Sequence, residues 1–491
     1  MGCGAGPRPQ GDAPGIRSIV GQQIIRRIML NSPSDTDRMT HRTPQTRQTQ
    51  TDSRPVWRES RTAKFNVFQR LARQWDQLHP YNAAQIIKLR GQADLAASRN
   101  AWIESLDALN LGALCISENS YHYRCLNGEA ITHGVARCPD GTELDQWISD
   151  EMNRPFEAFG GVPFRPFLLQ KAGHFWMGVC YQHWVADSAS IRMLMREWFV
   201  RQFDPTAAAR RPVRIHAGGY LSLFGPHRDG YRAAEALMSS LRWHCQFRRI
   251  RRIEDREKFQ DMSQRFALFS TPEGLIDRLC VTARQAGATV NDVFLAAIAQ
   301  VCNQHVPVLR RLRRRDLAVG TIVDLRPSAN RPLNDVFDLL LGFTSICGRA
   351  KHIGDWQALL ASVSRQTRHQ KLGGLPLASS FRMLAGLIAG KYLSRDGMIE
   401  LYRKRVSLAG ANSNVNLNRY WPARYHGSHL LDYIRVAPTG PMTPLVFTTT
   451  TLGKGLSVGL TYRPAIIPPE RAEKLGAMFI DRLREVSGSP S

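Results

Sequence analysis

The chain has 491 residues, 43% of them hydrophobic and 22% charged, and a formal net charge of +25. A length of this order suggests two or three domain-sized units with a core that needs no covalent staples. Nine scattered cysteines without a CxxC pair argue against a zinc site and a disulfide framework, and no apolar run approaches the roughly 18 residues of a membrane span.

Residues 1–58 are rich in Gly, Pro, Thr, Gln, Arg and Ser and read as a disordered tail, too polar to offset the entropy of ordering. No basic-then-apolar signal opens the chain, which reads as cytoplasmic. Folded sequence begins near Phe65. A helix-like run ends at Trp75–Leu78, and Ala83–Leu89 reads as a strand. Leu95–Leu109 has helical spacing, with Leu95, Trp102, Leu106 and Leu109 on one side. Pro163–Leu169 and Phe175–Tyr181 read as strands joined at a Lys171–His174 hairpin, and Ser190–Phe199 reads as a helix.

A Gly- and Pro-rich region, Pro205–Gly230, and a basic, helix-like stretch to about Lys258 then divide the chain. The expected units are a first lobe at 59–232, a basic linker at 233–262 and a second lobe at 263–491. In the second, Gly274–Gln285, Asn291–Cys302 and Trp356–His369 read as helices. Leu317–Asp324, His429–Val436, Leu445–Thr450 and Leu456–Tyr462 read as strands. Pro468–Glu485 reads as a closing helix with Pro and Glu in its first turn. Strands interleaved with helices in both halves point to an α/β or α+β fold.

Arginine clusters at Arg248, Arg249, Arg251 and Arg252, and at Arg310, Arg311, Arg313, Arg314 and Arg315, would attract anions. They read equally as solvated helix faces. Neither has the aromatic interleaving of a nucleic-acid binder, so nucleic acid is not an expected partner. The sequence contains no P-loop, HExxH or GxSxG motif.

The informative stretch is Tyr181-Gln182-His183-Trp184-Val185-Ala186-Asp187-Ser188. A strand runs into His183 and a helix starts soon after Asp187. A neutral imidazole at a strand end can take a proton from a hydroxyl or amine. A carboxylate at the helix entrance can cap that helix and pair with a distant Arg, which would aim the His. On spacing alone, a buried His beside a helix-capping Asp reads as well.

Four further segments accompany the motif: Leu78–Gln85, Ala288–Ala297, Val323–Pro327 and Asn412–Asn416. In this order and rough spacing, over about residues 60–488, they resemble the chloramphenicol acetyltransferase-like acyltransferase superfamily. That superfamily includes condensation domains of nonribosomal peptide synthetases, alcohol O-acetyltransferases and wax ester synthase/diacylglycerol acyltransferases. His183 and Asp187 match the two key positions of its HxxxD motif. Gln182 stands where many members have a second His, and Ser188 where Gly is usual.

The resemblance implies two similar lobes, each a mixed sheet with flanking helices, forming a V with a tunnel between them. His183 would be the catalytic base, Asp187 would shape its loop, and Arg326 would pair with Asp187. Asn291 and Asp292 would hold a helix start. Asn414 would serve a turn or donate a hydrogen bond near the oxyanion, and His79 and Tyr81 would pack locally. The implied reaction moves an acyl group from a thioester to a hydroxyl or amine without an acyl-enzyme. Acyl-CoA is the first expected donor, and the phosphopantetheine of an acyl carrier protein the alternative. The acceptor would be a small molecule or a lipid. A non-catalytic member that binds in the tunnel stays open, as does contact with a membrane surface. Neither a permanently bound cofactor nor a metal is expected.

Overall fold

The computed structural model describes residues 62–488, except 125–133, 158–160, 209–211, 216–219, most of 221–246, 254, 306–313, 422–424 and 426–429. The expected tail at 1–58, part of the expected linker, and Arg310, Arg311 and Arg313 lie outside the described residues.

β1 (Ala63–Lys64) leads into α1 (Val67–Asp76). A full capping box starts that helix: the Asn66 side chain accepts from the Phe68 and Gln69 amides, and the Gln69 side chain accepts from the Asn66 amide. β2 (Asn82–Arg90), α2 (Leu95–Leu109), β3 (Ala113–Ile116), β4 (Ser120–Arg124), β5 (Ala136–Arg137) and α3 (Leu144–Asn153) follow. β6 (Phe164–Lys171) and β7 (His174–Gln182) form the expected hairpin, with Gly173 at a φ of 73° in its turn. α4 (Ser188–Phe203) packs on α2, bringing Trp102 and Trp198 to a centroid distance of 4.9 Å.

Next come α5 (Arg256–Gln260), β8 (Arg265–Phe269), α6 (Leu275–Gln285), α7 (Val290–His305), β9 (Leu317–Asp324) and β10 (Leu341–Gly348). α8 (Trp356–Leu372), α9 (Leu375–Tyr392), α10 (Arg395–Arg405) and β11 (Gly410–Asn416) lead to β12 (Leu430–Val436), β13 (Leu445–Leu452), β14 (Gly455–Tyr462) and α11 (Pro469–Val486). The two basic clusters meet: Arg251 donates to the Arg315 carbonyl, and Arg314 to those of Phe247 and Ile250.

Two large mixed sheets organise these elements. The first has the order β12-β2-β7-β6-β5, with β5 and β6 parallel and the rest antiparallel. The second has the order β10-β9-β11-β13-β14-β8, with β11 parallel to both its neighbours. A small sheet, β1-β4-β3, stands apart from both. α7 is the central helix of the second sheet's cover, contacting α8 and α11, and its residues Val293–Ala299 are fully buried.

β12 departs from the division expected from the sequence. It belongs to the 263–491 segment, yet it pairs with β2 as an edge of the first sheet. Without it, the outer backbone groups of β2 would be left unpaired in the interior. Arg435 on β12 then reaches Ser413, Thr449 and Thr450 on β11 and β13, so one side chain ties the two sheets together. At the second sheet's far edge, Gln366 and Gln370 lie one turn apart on α8. They bond the β10 backbone at Cys347 and Ser345 and so cover that edge.

Gly178 lies in the middle of β7, where an added Cβ would sit 2.4 Å from the Phe167 ring and 3.0 Å from Ile86 Cγ1. Gly178→Ala is therefore expected to lower stability by about 1–3 kcal/mol. Urea unfolding should show a lower midpoint at an unchanged slope.

Candidate active site

β7 ends at Gln182, and the chain turns through His183–Asp187 into α4. Three backbone bonds hold this turn. The His183 N–H donates to the Tyr81 carbonyl at 2.9 Å, the Val185 N–H to Gln182 at 3.0 Å, and the Asp187 N–H to Asp338 at 3.3 Å. The imidazole stacks on Tyr81, with centroids 5.3 Å apart, and meets the edge of Tyr181 at 5.8 Å.

His183 Nδ1 lies 3.1 Å from the Ala186 carbonyl oxygen. A carbonyl only accepts, so Nδ1 carries the proton and Nε2 of the neutral ring keeps its lone pair. Burial lowers the His183 pKa from its usual value, against the Ala186 bond and the Asp187 charge. The residue lines a cavity of about 350 Å³ whose walls come from both large sheets and include Tyr81, Gln85, Ser188, Thr321 and Asn414.

The Asp187 carboxylate is engaged elsewhere. Oδ1 caps α4 by accepting the Ser190 N–H at 3.0 Å. Oδ2 accepts from Arg326 Nη1 at 2.6 Å and from the Leu340 N–H at 2.9 Å. Asp187 is fully buried, and the Arg326 side chain is 9% exposed. Arg326 Nη2 also donates to Ser190 Oγ and to the Val336 and Asp338 carbonyls. Burial alone would raise the Asp187 carboxyl; the guanidinium and the two N–H donors hold it below the ordinary carboxylate range. Asp324, which also contacts Arg326, is instead pushed up by burial and by the Asp187 charge.

The remaining residues expected from the sequence divide by position. Ser188 and Asn414 line the cavity with His183. Ser188 accepts from Gln85 Nε2 through both its carbonyl and its hydroxyl, each at 3.1 Å. Asn414 lies within strand β11 rather than in a turn, and its Oδ1 accepts from Thr449 Oγ1 at 3.1 Å. Gln182 supports the cavity from outside: its Nε2 donates to Asp76 Oδ2 at 2.9 Å, and Asp76 Oδ1 accepts the Tyr81 N–H at 2.7 Å. Tyr81 thus does more than pack locally, since it carries the His183 stack.

Asn291 and Asp292 sit in the first turn of α7, away from the cavity lining. Asp292 accepts from the Thr289 N–H at 2.8 Å and from Thr367 Oγ1 at 2.7 Å, which fixes the helix start. His79 pairs with Asn153 at 2.8 Å. Sequence reasoning passed over Asp76, Arg192 and Arg435, none of which sits in a recognisable motif, and gave Gln85 no role although it closes the Leu78–Gln85 segment. Among the described residues, no group of three or more His, Cys, Asp or Glu side chains could hold a metal ion. None of the described helices is long and apolar enough to cross a membrane.

No family model matches the chain, and no curated protein matches it. Solved structures do. The first condensation domain of the CDA synthetase superposes with a TM-score of 0.61 at 16% identity, over 87% of this chain and 97% of that one. Trichothecene 15-O-acetyltransferase from Fusarium sporotrichioides gives 0.64 at 10% identity, over 87% and 95%. The X-domain from teicoplanin biosynthesis gives 0.55 at 14% identity, over 90% and 97%. The chain has the fold these proteins share, with two mixed sheets and flanking helices.

Asp187→Ala would leave the buried Arg326 guanidinium with Asp324, at 3.3 Å, as its remaining carboxylate partner. It is expected to cost about 3–5 kcal/mol of stability, most of it regained when Arg326→Met is added. Urea unfolding of the two single variants and the double variant measures the coupling directly.

Proposed function

We propose that this chain is an acyltransferase that moves an acyl group from a thioester to a hydroxyl or amine acceptor, with His183 as general base. The observation that carries the reading is the state of the His183 ring. Nδ1 is tied to the Ala186 carbonyl, burial keeps the ring neutral, and the residue lines a cavity large enough for a small acceptor. The likeness in fold to condensation domains and to an O-acetyltransferase supports the same reading.

In this mechanism the acceptor O–H or N–H donates to His183 Nε2. As its proton passes to the ring, the acceptor attacks the thioester carbonyl and forms a tetrahedral oxyanion. Collapse of the oxyanion breaks the C–S bond, and the imidazolium returns its proton to the departing thiolate. No acyl-enzyme forms. Holding both substrates and supplying a base are the two sources of rate. Asp187 and Arg326 are positioning residues that set the His183 loop from behind.

Acyl-CoA is the first donor to test. A carrier-bound phosphopantetheine thioester is the second, supported by the condensation-domain likeness and by a net charge of +25 that suits an acidic carrier. Purified protein and His183→Ala are incubated with acyl-CoAs of several lengths and a mixed alcohol and amine library, and then with acyl-loaded carrier proteins. Thiol release and acylated products are followed together. The variant is expected to lose about 10²–10⁴-fold in acceptor-dependent release while its circular dichroism stays unchanged. If neither donor class gives acceptor-dependent release, a cavity that binds without turnover replaces this reading.

The base works in its neutral form, so activity is lost as His183 gains a proton. Burial lowers its pKa from the ordinary 6.5 of an imidazole. The acid limb of kcat/KM against pH is therefore expected to have its midpoint below that value, with a plateau above it. A midpoint above it would count against His183 as the base.

A further inference from the structure

The His183 cavity also contains two arginines that no carboxylate among the described residues balances. Arg192, on α4 one turn beyond Ser188, is 7% exposed, and Arg435, on β12, is 4% exposed; both line the cavity. Every hydrogen bond that Arg435 makes goes to a neutral oxygen: Thr450 Oγ1, Ser413 Oγ, and the Ser413 and Thr449 carbonyls. Arg192 is less satisfied still. Its Nη1 lies 3.5 Å from Ser188 Oγ, and its guanidinium stands 4.4 Å from the centre of the Tyr420 ring. Its Nε is buried without a hydrogen-bond partner.

The one carboxylate among the described residues that line this cavity, Asp324, is held by the Arg326 amide at 3.0 Å and the Arg326 guanidinium at 3.3 Å. Burial, followed by the nearby charge of Arg192, pushes Arg435 down to about 9. Two guanidiniums in one interior space repel each other and have lost most of their water, an arrangement that costs stability unless an anion joins them.

We propose that Arg192, with the charge of Arg435 behind it, is a recognition site for a carboxylate carried by the substrate. A guanidinium presents parallel N–H donors that match a carboxylate, and burial strengthens the pairing. The phosphates of a CoA or phosphopantetheine donor lie a whole pantetheine arm away from the thioester carbon. An anion in this cavity therefore belongs either to the acceptor or to the far end of the acyl group. This inference rests on the acyl-transfer reading for its link to substrate choice, although binding alone can test the site.

The experiment uses short hydroxy and amino acids, each beside its methyl ester, with butyryl-CoA and succinyl-CoA as donors. A preference for acid over ester assigns the carboxylate to the acceptor, and a preference for succinyl over butyryl assigns it to the acyl group. Either preference is expected to be about tenfold or more in kcat/KM, the size of one charged hydrogen bond. Arg192→Met is expected to erase it, and Arg192→Lys to keep part of it. Calorimetric binding of the same acids and of succinyl-CoA is measured in parallel on wild type, His183→Ala and Arg192→Met. Binding that persists in His183→Ala and is lost in Arg192→Met supports the site even where no acyl transfer is seen. Turnover that needs His183 but treats acid and ester alike, and succinyl and butyryl alike, overturns the site and leaves acyl transfer standing. A preference that survives in Arg192→Met, or the absence of any acid or succinyl-CoA binding, overturns it as well.

Discussion

A carboxylate and a guanidinium, both removed from water, join residues 139 positions apart at Asp187 and Arg326. Desolvating two such charges is expensive, and their attraction offsets it only when the remaining donors and acceptors are also satisfied. Here they are shared out among neighbours. Asp187 takes the Ser190 and Leu340 amides, while Arg326 takes Ser190 Oγ and two carbonyls of the segment before β10. The same segment accepts from Asn66, the N-cap of α1. One buried pair thus fixes α1, α4, the end of β9 and the approach to β10 relative to one another. His183 sits four residues before that anchor, so the geometry of its imidazole is set by the second half of the chain.

Much of the architecture was legible in the sequence because apolar runs and turn or cap residues bound its strands and helices. The hairpin of β6 and β7, the helical spacing of α2 and the Pro-Glu start of α11 are examples. Two of the elements that escaped notice have compositions that argue against them. β11 reads Gly-Ala-Asn-Ser-Asn-Val-Asn, a loop by propensity, yet it lies between β9 and β13, where tertiary pairing overrides preference. α9 contains Gly386 and Gly390, which lower helix propensity. Those glycines have a use: a Cβ at Gly386 would stand 3.2 Å from Leu71 Cδ1, and one at Gly390 would overlap the Gln74 side chain, so their absence lets α9 approach α1. The crossing of β12 to the first sheet depends on contacts between distant segments, and no local pattern announces it.

The cavity shows the same division. His183, Asp187 and Ser188 could be read together because one turn of chain carries all three. Arg192 follows Ser188 by four residues but looks like any helix arginine until its burial is known. Arg435 lies in a strand that reads as belonging to the other half, and Asp76 lies at the end of α1. Their shared feature is spatial: each brings a charged or ionisable group into the interior from a different element, where its effect on neighbours is strongest.

Gln182 shows how a departure from the pattern this chain resembles fits its own network. Where the resembled motif often has a second histidine, an amide donates to Asp76, and Asp76 in turn accepts the Tyr81 amide. Tyr81 stacks on the His183 ring. An imidazole at this position would itself titrate near neutrality, and its charge would oppose protonation of His183 by an amount that varied with pH. An amide supplies the same kind of hydrogen bond without changing charge. His183 is consequently the one imidazole among the described residues that line the cavity, and the alignment of its ring does not depend on the protonation of a neighbouring histidine.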